Sequence, residues 1–206
     1  MMPDSRKVLR VYYDAAAPKY LKRASKGLMG WMRQRELALT HSMIPSCGNG
    51  RKALDAGCGP GYYAQVMKER GFDVTAVDIS PRMVEIVSQL GLPAYVMDIE
   101  HSEPHPDLPA PFDFIFCAGV LEFAHDVRAF LSALRRLASD DAEMLLVAPG
   151  RGLFGFCYAE YLKSRGIPAR VYKRKPLALD LEAAGFEPLE IRQSWPICLV
   201  TRAKAV

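Results

Sequence analysis

The spacing of apolar positions divides the chain into two kinds of pattern. Over the first 45 residues Leu9, Tyr12, Tyr13 and Ala16 recur at the spacing of one helical face, and Pro18 permits a fresh start. Tyr20, Leu21, Leu28, Trp31 and Met32 continue an apolar stripe, with Lys22, Arg23, Lys26, Arg33 and Arg35 on the remaining surface. Pro45 and the run Ser-Cys-Gly-Asn-Gly at 46–50 break the pattern. Beyond the break, 52–57, 72–78, 93–98, 112–119 and 143–149 read as strands. Helices are predicted between them at 61–70, 81–90 and about 127–138, and again at 176–185. Pro81 opens its helix and Gly91 follows its end, the usual asymmetry of helix punctuation. Two last strands, 187–194 and 197–203, flank a turn at Trp195 and Pro196.

Strands separated by helices run parallel, because parallel neighbours need a crossover, whereas two strands joined by a short turn are antiparallel. The predicted architecture is therefore α/β: a doubly wound, mostly parallel seven-stranded sheet whose last strand is antiparallel. A helical cap at 1–48 precedes a core at 49–206, and a segment at about 150–175 is inserted in that core. The insert carries Phe154, Phe156, Tyr158, Tyr161 and Tyr172 among Gly150, Gly152 and Gly155. It reads either as a mobile wall for an aromatic or lipid-like ligand or as a helix that buries its rings.

Composition bounds the answer. Half of the 206 residues are hydrophobic and 24% are charged, the balance of one well-filled globular domain. No apolar run approaches the roughly 20 residues that span a bilayer. No continuous apolar stretch marks a secretory signal near the N-terminus, so a cytoplasmic location is expected. The five cysteines are scattered, without a Cys-x-x-Cys pair, and the four histidines do not cluster. Reduced, buried thiols and the absence of a bound metal are the expectation. The net charge of +4 conceals a basic residue 1–52 region (+8), an acidic 53–150 region (−9) and a basic 151–206 region (+5). The basic ends either gather over an anionic substrate, touch an anionic membrane surface through the N-terminal helices, or simply solvate them. Nothing in the sequence specifies an oligomeric state.

The candidate chemistry centres on Asp-Ala-Gly-Cys-Gly-Pro-Gly at 55–61, where a strand meets a helix. Glycines at such a turn let the backbone approach a ligand, and unpaired N–H groups at a helix start favour an anion. The dinucleotide fingerprint requires glycine at position 62, where Tyr62 stands, and no Gly-Lys-Ser/Thr marks a P-loop. Asp78, at the next strand end, suits the two hydroxyls of a ribose or a helix cap before Pro81. Asp98, at the third strand end, suits the amine of adenine or is a solvated loop acid. His125 follows the fourth strand and is the candidate general base, or else a helix-start histidine beside Asp126. His41, His101 and His105 receive no role.

Together, "ALDAGCGPG", "VDIS", "MDIE" and "FDFIFCAGVLEF" resemble the class I S-adenosylmethionine (SAM)-dependent methyltransferases, in particular the small-molecule, methyltransferase-11 and quinone-biosynthesis group. The resemblance covers about residues 50–149 well and extends to the closing helix and strand pair. It implies that Asp55, Gly57, Cys58, Gly59 and Gly61 line the methionine moiety of SAM and that Asp78 holds its ribose. It also implies that Ile79 and Met83 flank the adenine, that Asp98 and Ile99 meet its amine edge, and that main-chain groups near Cys117 and Ala118 face the amino group. "VYYDAAAPKY" is similar to the lid segment of that group, nominating Tyr12 and Tyr20 as lid residues or as core aromatics. The acceptor pocket is expected from residues 1–45 and 150–175, with Tyr12, Phe154, Tyr158 and Tyr161. The implied reaction moves a methyl group from SAM, leaving S-adenosylhomocysteine, to oxygen, nitrogen or carbon of an aromatic, lipid-like or acidic small molecule, without a metal. The alternatives are a nicotinamide- or flavin-dependent oxidoreductase, a nucleic-acid methyltransferase and a non-catalytic SAM-binding protein. The second lacks an Asn/Asp-Pro-Pro-Tyr/Phe tetrapeptide after the fourth strand.

Overall fold

The computed structural model describes residues 5–17, 27–194 and 198–206. The expectations for Tyr20, Leu21 and the turn at Trp195 and Pro196 fall outside them. Helices α1 (Ser5–Ala16) and α2 (Gly27–Met43) precede strand β1 (Lys52–Ala56). The chain then alternates α3 (Tyr62–Glu69), β2 (Asp73–Asp78), α4 (Pro81–Gln89), β3 (Ala94–Val96) and β4 (Phe112–Ala118). A 3₁₀ turn (Leu121–Phe123), α5 (Val127–Leu137), β5 (Ala138–Pro149) and α6 (Leu153–Lys163) follow. The chain closes with α7 (Arg174–Ala183), β6 (Phe186–Ser194) and β7 (Cys198–Ala205).

The seven strands lie in the order β3-β2-β1-β4-β5-β7-β6. β1 through β5 are parallel, and β7 runs antiparallel between β5 and β6. The closing strand pair thus sits at the sheet edge as expected, with its second strand on the inside. Alternate residues face opposite layers, the two-residue period of a strand. Leu54, Ile115, Cys117, Leu146 and Ala148 meet Phe130, Leu131 and Leu134 of α5 and Leu177 and Leu181 of α7. Ala53, Phe114, Phe116, Leu145 and Val147 face Tyr63, Ala64 and Met67 of α3 together with Met43 and Ile44. Because the strand order reverses between β1 and β4, their carboxyl ends open a crevice, the general ligand position in doubly wound sheets.

Three local expectations change. β5 begins at Ala138, directly after α5, and its register against β4 slips between Phe112 and Phe114. Its first residues, Ser139 to Asp141, are polar, so apolar patterning does not reveal that pairing. Trp31 leaves the apolar stripe of α2: it is 44% exposed, with the Arg35 guanidinium 5.2 Å above its ring, while neighbouring Met32 turns inward. All five cysteines are free thiols as expected, but Cys47 and Cys157 are exposed rather than buried.

The 150–175 insert is helical. It leaves and returns at one point, where Arg151 N donates to Tyr172 O (2.7 Å) and Tyr172 N donates to Pro149 O (2.8 Å). Leu162 and Ile167 from the insert bury against Leu9 of α1, with Tyr12, Tyr13 and Tyr158 alongside. The N-terminal helix and the insert therefore meet above the crevice. Among the described residues no helix is long and apolar enough to cross a membrane.

Candidate active site

The turn after β1 is built from glycines for different reasons. Gly57, Gly59 and Gly61 all have positive φ (82°, 50° and 83°), the left-handed region that side chains disfavour. At Gly57 a Cβ would collide with the side chain of Val120. At Gly61 a Cβ would press on Val87 and Leu90, so this glycine lets α3 pack on α4, and it lines neither of the two cavities described below. Around Gly59 nothing lies within 4 Å of that position, and the open side faces the crevice.

The turn is tied to the end of β2. Gly57 N and Cys58 N both donate to Val77 O (2.8 and 3.0 Å), and Gly59 N donates to Asp78 Oδ2 (2.9 Å). Asp78 Oδ1 accepts from Ser80 N (2.9 Å), and Ser80 Oγ caps α4 by accepting from Met83 N (3.2 Å). Burial raises the Asp78 carboxyl above the usual range while these hydrogen bonds pull it back. Asp55 is more extreme. It is 2% exposed, its Oδ2 is buried without a hydrogen-bond partner, and burial followed by the Asp78 charge pushes it up to about 8.

Two cavities flank this turn. The smaller, about 80 Å³, lies between Asp78, Ile79, Met83, Asp98 and Ile99 on one side and Arg6, Leu9 and Tyr13 of α1 on the other. The larger, about 380 Å³, lies over the ends of β4, β5 and β7 beneath α1, α2 and α6. Tyr13, Gly57, Gly59, Ala118 and Gly119 line both, so the two spaces share one wall.

Polar tethers hold α1 over the smaller cavity. Arg6 pairs with Glu100 and reaches Asp98 Oδ2 (3.6 Å), so the acid expected at an adenine edge is engaged by α1. Asp14, near the other end of the helix, accepts from the hydroxyl of Ser80 and from Arg82 N (3.3 Å).

Most of the residues nominated for the cofactor gather here. Asp55 and Cys58 line the larger cavity, Asp78, Ile79, Met83, Asp98 and Ile99 the smaller, and Gly57, Gly59 and Ala118 both. The Cys117 side chain is wholly buried in the core. Of the acceptor set, Tyr12, Tyr158 and Tyr161 line the larger cavity and Phe154 does not. His125 is exposed and lines neither space; its N–H donates to Glu100 Oε2 (2.8 Å) and its carbonyl accepts from Arg170 (2.8 Å).

Sequence reasoning passed over Arg6, Glu36 and Glu122. Glu36 pairs with Arg33 on the wall of the larger cavity and accepts from the Cys198 thiol (3.5 Å). Glu122 is 3% exposed; its Oε1 accepts from the Tyr158 hydroxyl (3.3 Å), and its Oε2 is buried without a partner. Its signal in the sequence was an acid set between Leu121 and Phe123 straight after an apolar strand.

Comparison with known proteins decides the family: the model of the methyltransferase domain matches residues 29–191. This chain belongs to the methyltransferase domain family. The ubiquinone biosynthesis O-methyltransferase of Xylella fastidiosa (strain 9a5c) is 30% identical over 146 residues, covering 67% of this chain. The chain spans 59% of that relative's length. Magnesium protoporphyrin IX methyltransferase of Synechocystis PCC 6803, solved with bound S-adenosylhomocysteine, superposes with a TM-score of 0.74 at 18% identity, covering 97% of this chain and 99% of that one. The 1,6-didemethyltoxoflavin N1-methyltransferase of Burkholderia thailandensis gives a TM-score of 0.69 at 20% identity, with 97% and 88% covered. These likenesses show a shared methyltransferase fold.

Proposed function

We propose that this protein transfers a methyl group from SAM to a small-molecule acceptor. The observation that carries the reading is the wall shared by the two cavities. One side offers groups suited to a nucleoside, the other a larger space walled by aromatic rings, and the glycine turn stands between them. The names of the relatives, a ubiquinone-pathway O-methyltransferase among them, support the same reaction class.

The site suits the donor. Asp78 retains acceptor capacity toward ribose hydroxyls beyond its bonds from Gly59 N and Ser80 N, Ile79 and Met83 offer apolar faces to adenine, and the open side of Gly59 admits close approach. SAM, when bound, supplies an already activated methyl group. The protein's work is to place the acceptor in line with it and to exclude water. Helix α1 and the insert carrying α6 form the cover, packed together through Leu9, Leu162 and Ile167. Helix α2 closes the acceptor side through Met32, Arg33 and Glu36.

The test is release of S-adenosylhomocysteine on incubation with SAM and a panel of aromatic, lipid-like and acidic acceptors. Product formation with at least one class supports the reading. Saturable binding of NAD(H) in place of SAM would overturn it.

A further inference from the structure

On the reading of the two cavities as donor and acceptor compartments, we propose that Glu122 is the proton acceptor for a phenolic hydroxyl group on an aromatic substrate held in the larger cavity. The first support is position. Glu122 sits in the turn immediately after β4 and lines the larger cavity. A Cβ built on Gly119 would lie 3.9 Å from Glu122 Oε1, and Gly119 belongs to the wall between the compartments. The carboxyl group therefore stands beside the point where donor and acceptor meet.

The second support is hydrogen bonding. The Tyr158 hydroxyl fixes Oε1 from helix α6, while Oε2 is buried with no partner of its own. A buried carboxyl oxygen left unpaired is unfavourable unless a ligand completes it. An acceptor O–H is the group that would do so.

The third is the character of the cavity. Tyr12, Tyr62, Tyr63, Phe116 and Tyr161 supply flat walls for a ring. Asp55, Glu36 and Glu122 face the same space, and its single cation among the described residues, Arg33, already pairs with Glu36. Asp55 is neutral below about 8, and the described lining holds no cation beyond the paired Arg33, so nothing there attracts an acidic acceptor and the ring-lined space suits a neutral aromatic. A phenol, with an ordinary pKa near ~10, needs a base at neutral pH to become a good nucleophile. In the step, the phenol oxygen forms a bond to the methyl carbon while the methyl–sulfur bond breaks and its electron pair returns to sulfur. The phenol proton passes to Glu122 Oε2 and from there to solvent.

The protonation of Glu122 agrees with this task. Burial pushes its carboxyl up to about 7, and hydrogen bonding from its own backbone N–H and then from Tyr158 opposes the rise. The groups facing it are Tyr158 from α6, Tyr172 beside Gly150, Cys117 of β4, Cys198 of β7 and Glu36 of α2. Tyr172, Cys117 and Cys198 are themselves shifted upward and stay neutral near pH 7. Glu122 is thus the acid below about 7 and the base above it, so turnover rises with pH through that value.

The test uses the whole protein, with Glu122→Gln and Tyr158→Phe. In ¹³C-carboxyl spectra of glutamate-labelled protein, one resonance titrates near 7, vanishes in Glu122→Gln and moves upward in Tyr158→Phe. Glu122→Gln melts no lower than the parent, and higher than it above about pH 7, and binds labelled SAM with unchanged affinity. With phenol and catechol as acceptors, it loses about 100-fold or more in kcat, together with the rise in pH profile, while KM changes little. Titration of Glu122 at the ordinary 4.5 overturns the proposal. So does undiminished turnover of phenols by Glu122→Gln, or a parent that methylates only aniline or benzoate. Failure of the parent to bind SAM would instead remove the underlying reading of the compartments.

Discussion

The backbone N–H of Gly59 donates to Asp78 Oδ2 at 2.9 Å, joining the turn after β1 to the carboxyl end of β2. One carboxylate thereby shapes the glycine turn and faces the cavity proposed for the nucleoside. Strand β1, which leads into this turn, and β2, which ends at Asp78, are adjacent and parallel, so the tie bridges their ends without a long loop.

The glycines of this turn are not equivalent, and alanine substitutions separate them. Gly57→Ala forces a methyl group into Val120, whereas Gly59→Ala meets open space and carries only the left-handed backbone strain. Urea unfolding is expected to show a loss of about 1–2 kcal/mol for Gly59→Ala and a larger loss for Gly57→Ala. SAM titration is expected to weaken for Gly59→Ala despite its milder effect on stability, because its new methyl group enters the cavity.

Asp55 makes the SAM-free protein sensitive to pH. Burial and the Asp78 charge lift its folded pKa to about 8, above the ordinary 3.8, so the folded state holds the proton more tightly. The stabilising effect of the neutral carboxyl is complete below the unfolded value and is lost as pH rises through about 8. Asp55→Asn is therefore expected to melt higher than the parent at pH 9, by about 2–4 °C for each kcal/mol relieved. Thermal melts from pH 4 to pH 9 check this: the gap should widen with pH and then level off. A gap that narrows contradicts the assignment.

Helix α1 is held by the Arg6 contacts to Asp98 and Glu100 and by the Asp14 contacts to Ser80 and Arg82. Loosening one tether should let the cover open more often. For Arg6→Ala, stopped-flow fluorescence is expected to show SAM dissociating about fivefold faster, the equivalent of about 1 kcal/mol. Raising the salt concentration should speed dissociation from the parent more than from the variant.

Much of this was legible in the sequence because strands and glycine turns have local signatures. The β-branched run ending at Asp78, the Pro81 start and the spaced glycines located the turn after β1, with Asp55 near the end of β1 and Asp78 at the end of β2. Gly61 shows where locality stops: its contact is with Val87 and Leu90, distant in sequence, and no spacing rule announces it. His125 drew notice as an ionisable residue after β4, yet the turn at Leu121–Phe123 directs Glu122 inward and leaves His125 exposed. Arg6 was invisible as a site residue because its partners Asp98 and Glu100 are more than 90 positions away.

Equilibrium dialysis with labelled SAM, comparing the parent with Asp78→Ala, tests the central claim most directly. The account predicts one saturable site in the parent and binding weakened by about 100-fold or more in a variant that still folds, since the ribose acceptor and the tie to Gly59 are lost together. A parent that does not bind SAM, or a variant that binds it as tightly as the parent, would contradict it.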